Sequence, residues 1–290
     1  MRVRAFAKIN LSLRVLGTRP DGYHELRTVF QSIALHDTLT IRTVRGPFEL
    51  TCSDPACPTD GTNLIARAAA SLWTAARRRG APQGVAIHLD KRIPMQAGLG
   101  GGSSDGAAAL RALARRWRVG ETAMRAAASA LGADVPYFLE GGTVLGLERG
   151  DLLFPLLDAP AAWAVVVVPD FGVSTRDAFG WFDANRRPTV ARAFQARVRG
   201  PERAALYPDL GNDLEGPVVA RHPEIGRIIS ALRRAGASVA AMSGSGSAVF
   251  GLFSTREAAL RAAKRVASGS RRPLVSATLN RQRYQRLAGT

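Results

Sequence analysis

Cysteine and lysine are both scarce in this 290-residue chain, and the two shortages narrow its chemistry in different ways. Cys52 and Cys57 are the only cysteines, too few for a four-thiolate zinc site and too few to staple a chain of this length, so a reducing setting is the simpler one. Lysine occurs only at Lys8, Lys91 and Lys264, and the excess of 40 basic over 23 acidic side chains is therefore almost wholly arginine. A formal charge of +17 would draw phosphates, nucleic acid included. The arginines are scattered, however, along alanine-rich helical stretches such as Arg77-Arg78-Arg79 and Arg115-Arg116, the pattern of solvated helix faces, and no nucleic-acid partner is expected. Long apolar runs are also missing. The longest, Ala161 to Val168, falls far short of the roughly 20 residues a membrane helix needs. The chain runs from Met1-Arg2-Val3-Arg4 directly into an alternating pattern, without the apolar segment and cleavage site of a signal peptide, so a cytoplasmic protein with no membrane partner is expected.

What is present is a globular composition, with 46% hydrophobic and 22% charged residues, long enough for two lobes. Ile9, Leu11, Leu13 and Val15 alternate with Asn10, Ser12 and Arg14, which predicts a half-buried strand. Lys8 and Asn10 share its polar face. The turn formers from Gly17 to Gly22 lead to Tyr23-His24 and to further strand-like residues from Val29 to Ile41. Asn63 caps a helix carrying Leu64, Ala68 and Leu72. Val85 to Asp90 reads as a strand and Ala107 to Trp117 as an alanine-rich helix. Farther on, Ile225, Ile228, Ile229 and Leu232 predict an amphipathic helix, and Ser254 with Glu257 has the spacing of a capping box for a helix through Val266. Strands and helices mix in both halves. The expected class is α+β, with a nucleotide-binding lobe at 1–157 and a second lobe at 158–290, divided in the segment carrying Pro155 and Pro160.

Between the strand and the alanine-rich helix lies Ile93-Pro94-Met95-Gln96-Ala97-Gly98-Leu99-Gly100-Gly101-Gly102-Ser103-Ser104-Asp105. Glycines without a Cβ let backbone N–H groups approach an anion, and a helix start adds free N–H donors and its positive dipole end. A polyphosphate fits such a loop. Ser103 and Ser104 can offer hydroxyls to phosphate or Mg²⁺, while Ser104 or Asp105 could instead cap the helix. The spacing is neither that of the Walker loop nor that of the dinucleotide fingerprint.

Pro94 to Ser104 resembles the phosphate loop of the GHMP small-molecule kinases. Three further segments narrow the resemblance to the branch acting on a cytidine-diphosphate-linked methylerythritol: Ala7-Lys8-Ile9-Asn10-Leu11 with Arg19-Pro20-Asp21-Gly22-Tyr23-His24-Glu25-Leu26, Gly132-Ala133-Asp134-Val135-Pro136, and Met242-Ser243-Gly244-Ser245-Gly246. The resemblance implies a two-lobed kinase that uses ATP and Mg²⁺ to phosphorylate the 2-hydroxyl of a methylerythritol moiety in isoprenoid synthesis. It implies a catalytic pair at Lys8 and Asp134, the carboxylate accepting the hydroxyl proton and the ammonium offsetting charge on the transferring phosphoryl group. It also implies that Pro94, Met95, Gln96, Ala97, Gly98, Leu99, Gly100, Gly101, Gly102, Ser103 and Ser104 hold the nucleotide, flanked by Asn63 and Lys91. Asn10 then sits beside the catalytic pair, and Tyr23, His24 and Phe179 hold the cytosine. A Tyr-His pair and a buried Phe are also ordinary packing, and Gly244 with Gly246 is also an ordinary hairpin. The residues designate no metal ligand. Two positions depart from the pattern: Phe6 replaces the usual proline before Ala-Lys-Ile-Asn, and Gly106 replaces the usual alanine after Ser-Ser-Asp, which predicts a looser loop.

Overall fold

The structure, a computed structural model, describes residues 1–185, 210–269 and 273–289. Strand β1 (Arg2–Thr18) and the long β2 (His24–Pro47) form an antiparallel pair joined by a tight turn at residues 19–23. In that turn Gly22 has φ of +81° and Arg19 N donates to Tyr23 O at 2.7 Å, so Tyr23 and His24 enter β2 at a defined point. The strands from Val29 to Ile41 expected as separate pieces are one strand. Then come β3 (Glu49–Cys52), α1 (Leu64–Ala75), β4 (Gln83–Asp90), α2 (Gly101–Trp117), α3 (Glu121–Leu131), α4 (Tyr137–Glu140), β5 (Thr143–Glu148) and β6 (Leu152–Pro155). The second half holds β7 (Trp163–Val167), α5 (Thr175–Ala184), β8 (Gly211–Asn212), α6 (Glu215–Arg221), α7 (Pro223–Arg234), β9 (Val239–Met242), β10 (Val249–Phe253), α8 (Arg256–Val266), β11 (Leu274–Ala277) and α9 (Arg281–Ala288).

Among the described residues the strands make two sheets. One runs β3-β4-β2-β1-β8, with β5 on the first half of β2 and β6 on β5; the other is an antiparallel sheet ordered β11-β7-β10-β9. The chain passes from the first sheet to the second between Pro155 and Trp163, yet β8 returns to lie parallel to β1 through Ser12 and Leu13. The alternation in β7 shows why the sheets stack. Ala164 and Val166 face a core shared with Ile9, Leu11 and Ile33 of the first sheet, while Val165 and Val167 face α7 and α8. Ile225, Ile228, Ile229 and Leu232 are all buried there, as their spacing predicts. Each such aliphatic side chain contributes about 1.5–3 kcal/mol on leaving water.

Two helix starts differ from expectation. Helix α2 begins at Gly101, six residues before Ala107, with Gly100 as a left-handed N-cap at φ 70° and no side-chain cap from Ser104 or Asp105. Glycine has low helix propensity, but these glycines are required by close neighbours. A Cβ on Gly101 would lie 2.9 Å from Lys91 Nζ, and one on Gly106 would lie 3.1 Å from Leu64 Cβ of α1. Gly106 therefore lets α1 and α2 pack closely and does not mark a loose loop. Helix α8 is capped by Thr255, whose Oγ1 accepts from Ala258 N at 3.2 Å, and the expected Ser254–Glu257 box lies one residue off. Phe6, the other departure, is buried against His36 and Tyr284, with ring centroids 5.2 and 5.5 Å away, so it anchors α9 to β1.

Candidate active site

The glycine-rich loop crosses over β1, and its conformation depends on absent side chains. A Cβ on Gly98 (φ +73°) would stand 2.1 Å from Ser243 O, and one on Gly100 would stand 2.6 Å from Phe138 Cζ and 3.2 Å from Lys8 Cε. The loop is fixed from both sides: Lys8 N donates to Leu99 O at 3.0 Å, Ala248 N to Ala97 O at 3.1 Å, and Ser243 Oγ to Gly98 O at 3.0 Å. The turn after β9 thus sits against the loop. It is held in turn by Asn212, whose Nδ2 donates to Met242 O and Gly244 O at 2.9 and 2.7 Å, and by Glu215, whose Oε2 accepts from Met242 N at 2.9 Å. Burial raises the Glu215 pKa above the usual value, with the Met242 N–H and Arg233 opposing it. Asn212 and Glu215, which flank the start of α6, thus also carry this turn.

Gly244 belongs to that turn, and its Cβ would meet Asn10 Oδ1 at 3.2 Å and Lys8 Nζ at 3.3 Å, which places the turn directly beside the proposed catalytic lysine. Lys8 Nζ donates to Asn10 Oδ1 at 2.6 Å and lies 3.6 Å from Asp134 Oδ2. The amide of Asn10 has one consistent orientation: its Nδ2 donates to Thr28 Oγ1 at 2.7 Å, and that hydroxyl donates onward to Ser12 O at 2.7 Å, so Oδ1 is left for the lysine. The Lys8 side chain is 5% exposed and that of Asp134 35%, so the ammonium is fixed within the protein and the carboxylate faces the cleft.

Lys91 is not a free phosphate hand. Its Nζ donates to Asp37 Oδ2 and, at 3.0 Å, to Asp105 Oδ2, and all three side chains are buried. Burial pulls the Lys91 pKa down, but the carboxylates of Asp105 and Asp37 more than offset that and leave it raised. The Asp105 carboxyl is pushed well above the usual range by burial, with Lys91 opposing, and its Oδ1 has no hydrogen-bond partner. This charged cluster lies under the first turn of α2 and sets the height of Gly101. Asn63 is similarly occupied: its Oδ1 accepts from Ile65 N at 2.8 Å as the N-cap of α1, and its Nδ2 donates to Pro58 O at 2.6 Å. Nearby, Cys52 and Cys57 are free thiols, and burial followed by the Cys52 thiol pushes Cys57 up to about 12.

One cleft of about 1230 Å³ joins these parts. Lys8, Asn10, Asn63, Lys91, Pro94 through Ser103 and Asp134 line it, and so do Tyr23, His24 and Phe179 at a second region. The exception among the sequence-derived candidates is Ser104. Its hydroxyl donates to Phe6 O at 2.7 Å beneath the helix, it is 1% exposed, and it does not reach the cleft, because the fourth residue of α2 turns onto β1. At the second region the His24 ring stacks on Phe179 of α5, centroids 4.5 Å apart and planes at 22°, and Arg149 lies over the Tyr23 ring at 5.4 Å. Asp105, Arg149 and Asp183 also line the cleft; Asp105 read from sequence only as a possible cap, and Arg149 and Asp183 do not announce themselves locally in sequence. A space this size exceeds the about 300–1,000 Å³ of a typical single-ligand pocket and leaves room for more than one ligand.

Two family descriptions match the chain: GHMP kinases N terminal domain over residues 63–142 and GHMP kinases C terminal over residues 202–270. The fold agrees with them, since the crystal structure of homoserine kinase from Cytophaga hutchinsonii superposes with a TM-score of 0.68 at 17% identity, covering 98% of this chain and 96% of that one. Fold and loop define a GHMP kinase of the α+β class. Among curated relatives, 4-diphosphocytidyl-2-C-methyl-D-erythritol kinase of Moorella thermoacetica is 44% identical over 283 residues, 95% of this chain and 98% of that protein. The same enzyme of Solibacter usitatus is 43% identical over 279 residues, 90% and 83% of the two chains. A crystal structure of 4-(cytidine 5'-diphospho)-2C-methyl-D-erythritol kinase superposes with a TM-score of 0.79 at 37% identity, covering 96% of this chain and 99% of that one. The chain belongs to the 4-diphosphocytidyl-2-C-methyl-D-erythritol kinase family.

Proposed function

We propose that this chain, like the relatives named as kinases of 4-diphosphocytidyl-2-C-methyl-D-erythritol, phosphorylates that compound with ATP, at its 2-hydroxyl, in the non-mevalonate isoprenoid pathway. The observation that carries the reading is the Lys8–Asp134 pair, 3.6 Å apart, lining the same cleft as the glycine loop and the His24–Phe179 stack. Backbone N–H groups at the start of α2 cradle the phosphates, and the dipole of this 17-residue helix favours their charge. Asp134 accepts the proton of the acceptor hydroxyl as its oxygen attacks the γ-phosphorus and the bond to ADP breaks. Lys8, held by Asn10, offsets charge on the phosphoryl oxygens as they separate from ADP.

The Ser103 hydroxyl and the Asp134 carboxylate, which line the cleft, are oxygen donors of the kind Mg²⁺ takes. When bound, the ion neutralises charge on the β- and γ-phosphates. Tyr23, His24 and Phe179 hold the cytosine. The 1–157 segment serves as the nucleotide lobe and 158–290 as the second lobe, with a cytoplasmic location and no nucleic-acid partner. Among the described residues no helix is long and apolar enough to cross a membrane.

The test is ADP release from Mg-ATP with the cytidine-diphosphate-linked methylerythritol, mevalonate, homoserine and galactose as acceptors. Release with the cytidine substrate alone supports the reading, and release only with another acceptor refutes it. Asp134→Asn is expected to lower kcat at least about 100-fold while ATP binding persists. Unchanged turnover removes Asp134 as the base.

A further inference from the structure

His24 is gripped by two side chains of α5. Phe179 stacks on its ring, and one helical turn later the carboxylate of Asp183 receives His24 Nε2 at 2.9 and 3.1 Å from its two oxygens. The four-residue spacing puts Phe179 and Asp183 on the same helix face, and both line the cleft with His24. Asp183 lies in the last turn of its helix, where unpaired carbonyls disfavour an acid, so helix chemistry does not account for it. A carboxylate can only accept, so Nε2 carries the hydrogen. In the neutral ring Nδ1 is then an acceptor, and the tautomer is set by a side chain of α5.

We infer that Asp183 is a positioning residue that fixes the ring and tautomer of His24, and through it makes the chain prefer a cytosine-bearing acceptor over a uracil-bearing one. The inference rests on the reading that Tyr23, His24 and Phe179 hold the base. An acceptor at Nδ1 suits the exocyclic amino group of cytosine and opposes the carbonyl oxygen that uracil presents at the same place. A polar site built for one partner rejects the analogue that leaves it unmatched. Asp183 is the group that denies His24 the other tautomer.

Two readouts test this, and each responds to something a purely structural latch would not. The chain has four histidines, His24, His36, His88 and His222, so ¹⁵N-histidine spectra of the free protein are assignable by single substitution. His24 is expected as the Nε2–H tautomer in the wild type and as a mixture in Asp183→Ala. In kinetics, the ratio of kcat/KM for the cytidine-diphosphate-linked substrate to that for its uridine-diphosphate-linked analogue should fall about tenfold in Asp183→Ala, the worth of one hydrogen bond, with KM for ATP unmoved. Asp183→Asn, whose amide oxygen still accepts, should restore most of the ratio. Asp183 is half exposed, so folding is not at risk, and thermal denaturation of each variant checks it. A wild type indifferent to the base defeats the cytosine reading and this inference with it. A selective wild type whose Asp183→Ala variant is equally selective, or whose His24 spectrum is unchanged, overturns the inference alone.

Discussion

Replacing Gly98 by alanine tests whether the phosphate loop is shaped by its contact with the turn after β9. Two costs can be worked from the structure. A side chain at φ +73° costs about 1–2 kcal/mol in the left-handed region. The added Cβ would also stand 2.1 Å from Ser243 O and 3.1 Å from Gly246 O. A carbon–oxygen contact is ordinarily about 3.3 Å, so the two backbones must part by about 1 Å. That movement breaks the bonds from Ser243 Oγ to Gly98 O and from Ala248 N to Ala97 O, each contributing about 0.5–1.5 kcal/mol. The expected loss is about 3 kcal/mol, read as a lowered midpoint in urea denaturation with an unchanged slope. Displacement of the loop should also raise KM for ATP tenfold or more, since about 1 Å of misplacement can cost about 100-fold. Gly102→Ala is the control. Its Cβ would meet nothing nearer than Leu64 Cδ1 at 3.9 Å, and in the first turn of α2 it should gain up to about 1 kcal/mol. A Gly98→Ala protein within about 1 kcal/mol of the wild type, with unchanged KM for ATP, would refute the argument.

Three further outcomes follow from the packing. Phe6→Ala should cost about 3–5 kcal/mol, because it removes the ring that joins β1 to Tyr284 of α9, while KM for ATP stays the same; calorimetry with steady-state kinetics checks both. Asp37→Ala should cost about 3 kcal/mol in urea denaturation by removing, in a buried site, the carboxylate that accepts from Lys91 Nζ and from the backbone N–H groups of Arg92 and Ile93. Glu215 has a raised pKa in the folded chain, so the folded state holds its proton more tightly than the unfolded one, and its contribution to stability is full below the usual 4.5 and is lost as pH rises through the raised value. Glu215→Gln, which keeps an acceptor for Met242 N, should flatten that part of the stability–pH curve; an unaltered slope would show that another group produces it.

What could be read from sequence and what could not divides along a physical line. Local backbone demands are legible. The glycine cluster signalled a close approach of the backbone, found at Gly98 and Gly100, Asn63 signalled a helix start, and the isoleucine spacing of α7 signalled its buried face, because each depends on neighbours within a turn or two. The start of α2 was not legible, since the glycines at 101 and 106 are helical only because Lys91 and Leu64 occupy the space where their side chains would be. Ser104 illustrates the same limit. Its residue type suits a phosphate, but β1 passes beneath it and takes the hydroxyl at Phe6 O.

Charge pairing was the least legible feature of all, and for the site it matters most. Lys8 and Lys91 are both rare lysines beside the same loop, and from sequence both could be assigned to phosphate. The fold separates them through carboxylates that are distant in the chain. Asp37 and Asp105 neutralise Lys91 inside the protein and make it a support for α2, whereas Lys8 meets an amide oxygen at 2.6 Å and, among the described residues, one carboxylate, 3.6 Å away and open to the cleft. An ammonium already matched by two buried carboxylates has little charge left to offer a moving phosphoryl group. One held by a neutral amide keeps most of it. Our proposal that Lys8 and not Lys91 takes part in catalysis rests on which partners each has, and the parallel substitutions should differ in kind: Lys91→Met should lower stability and Lys8→Met should lower kcat.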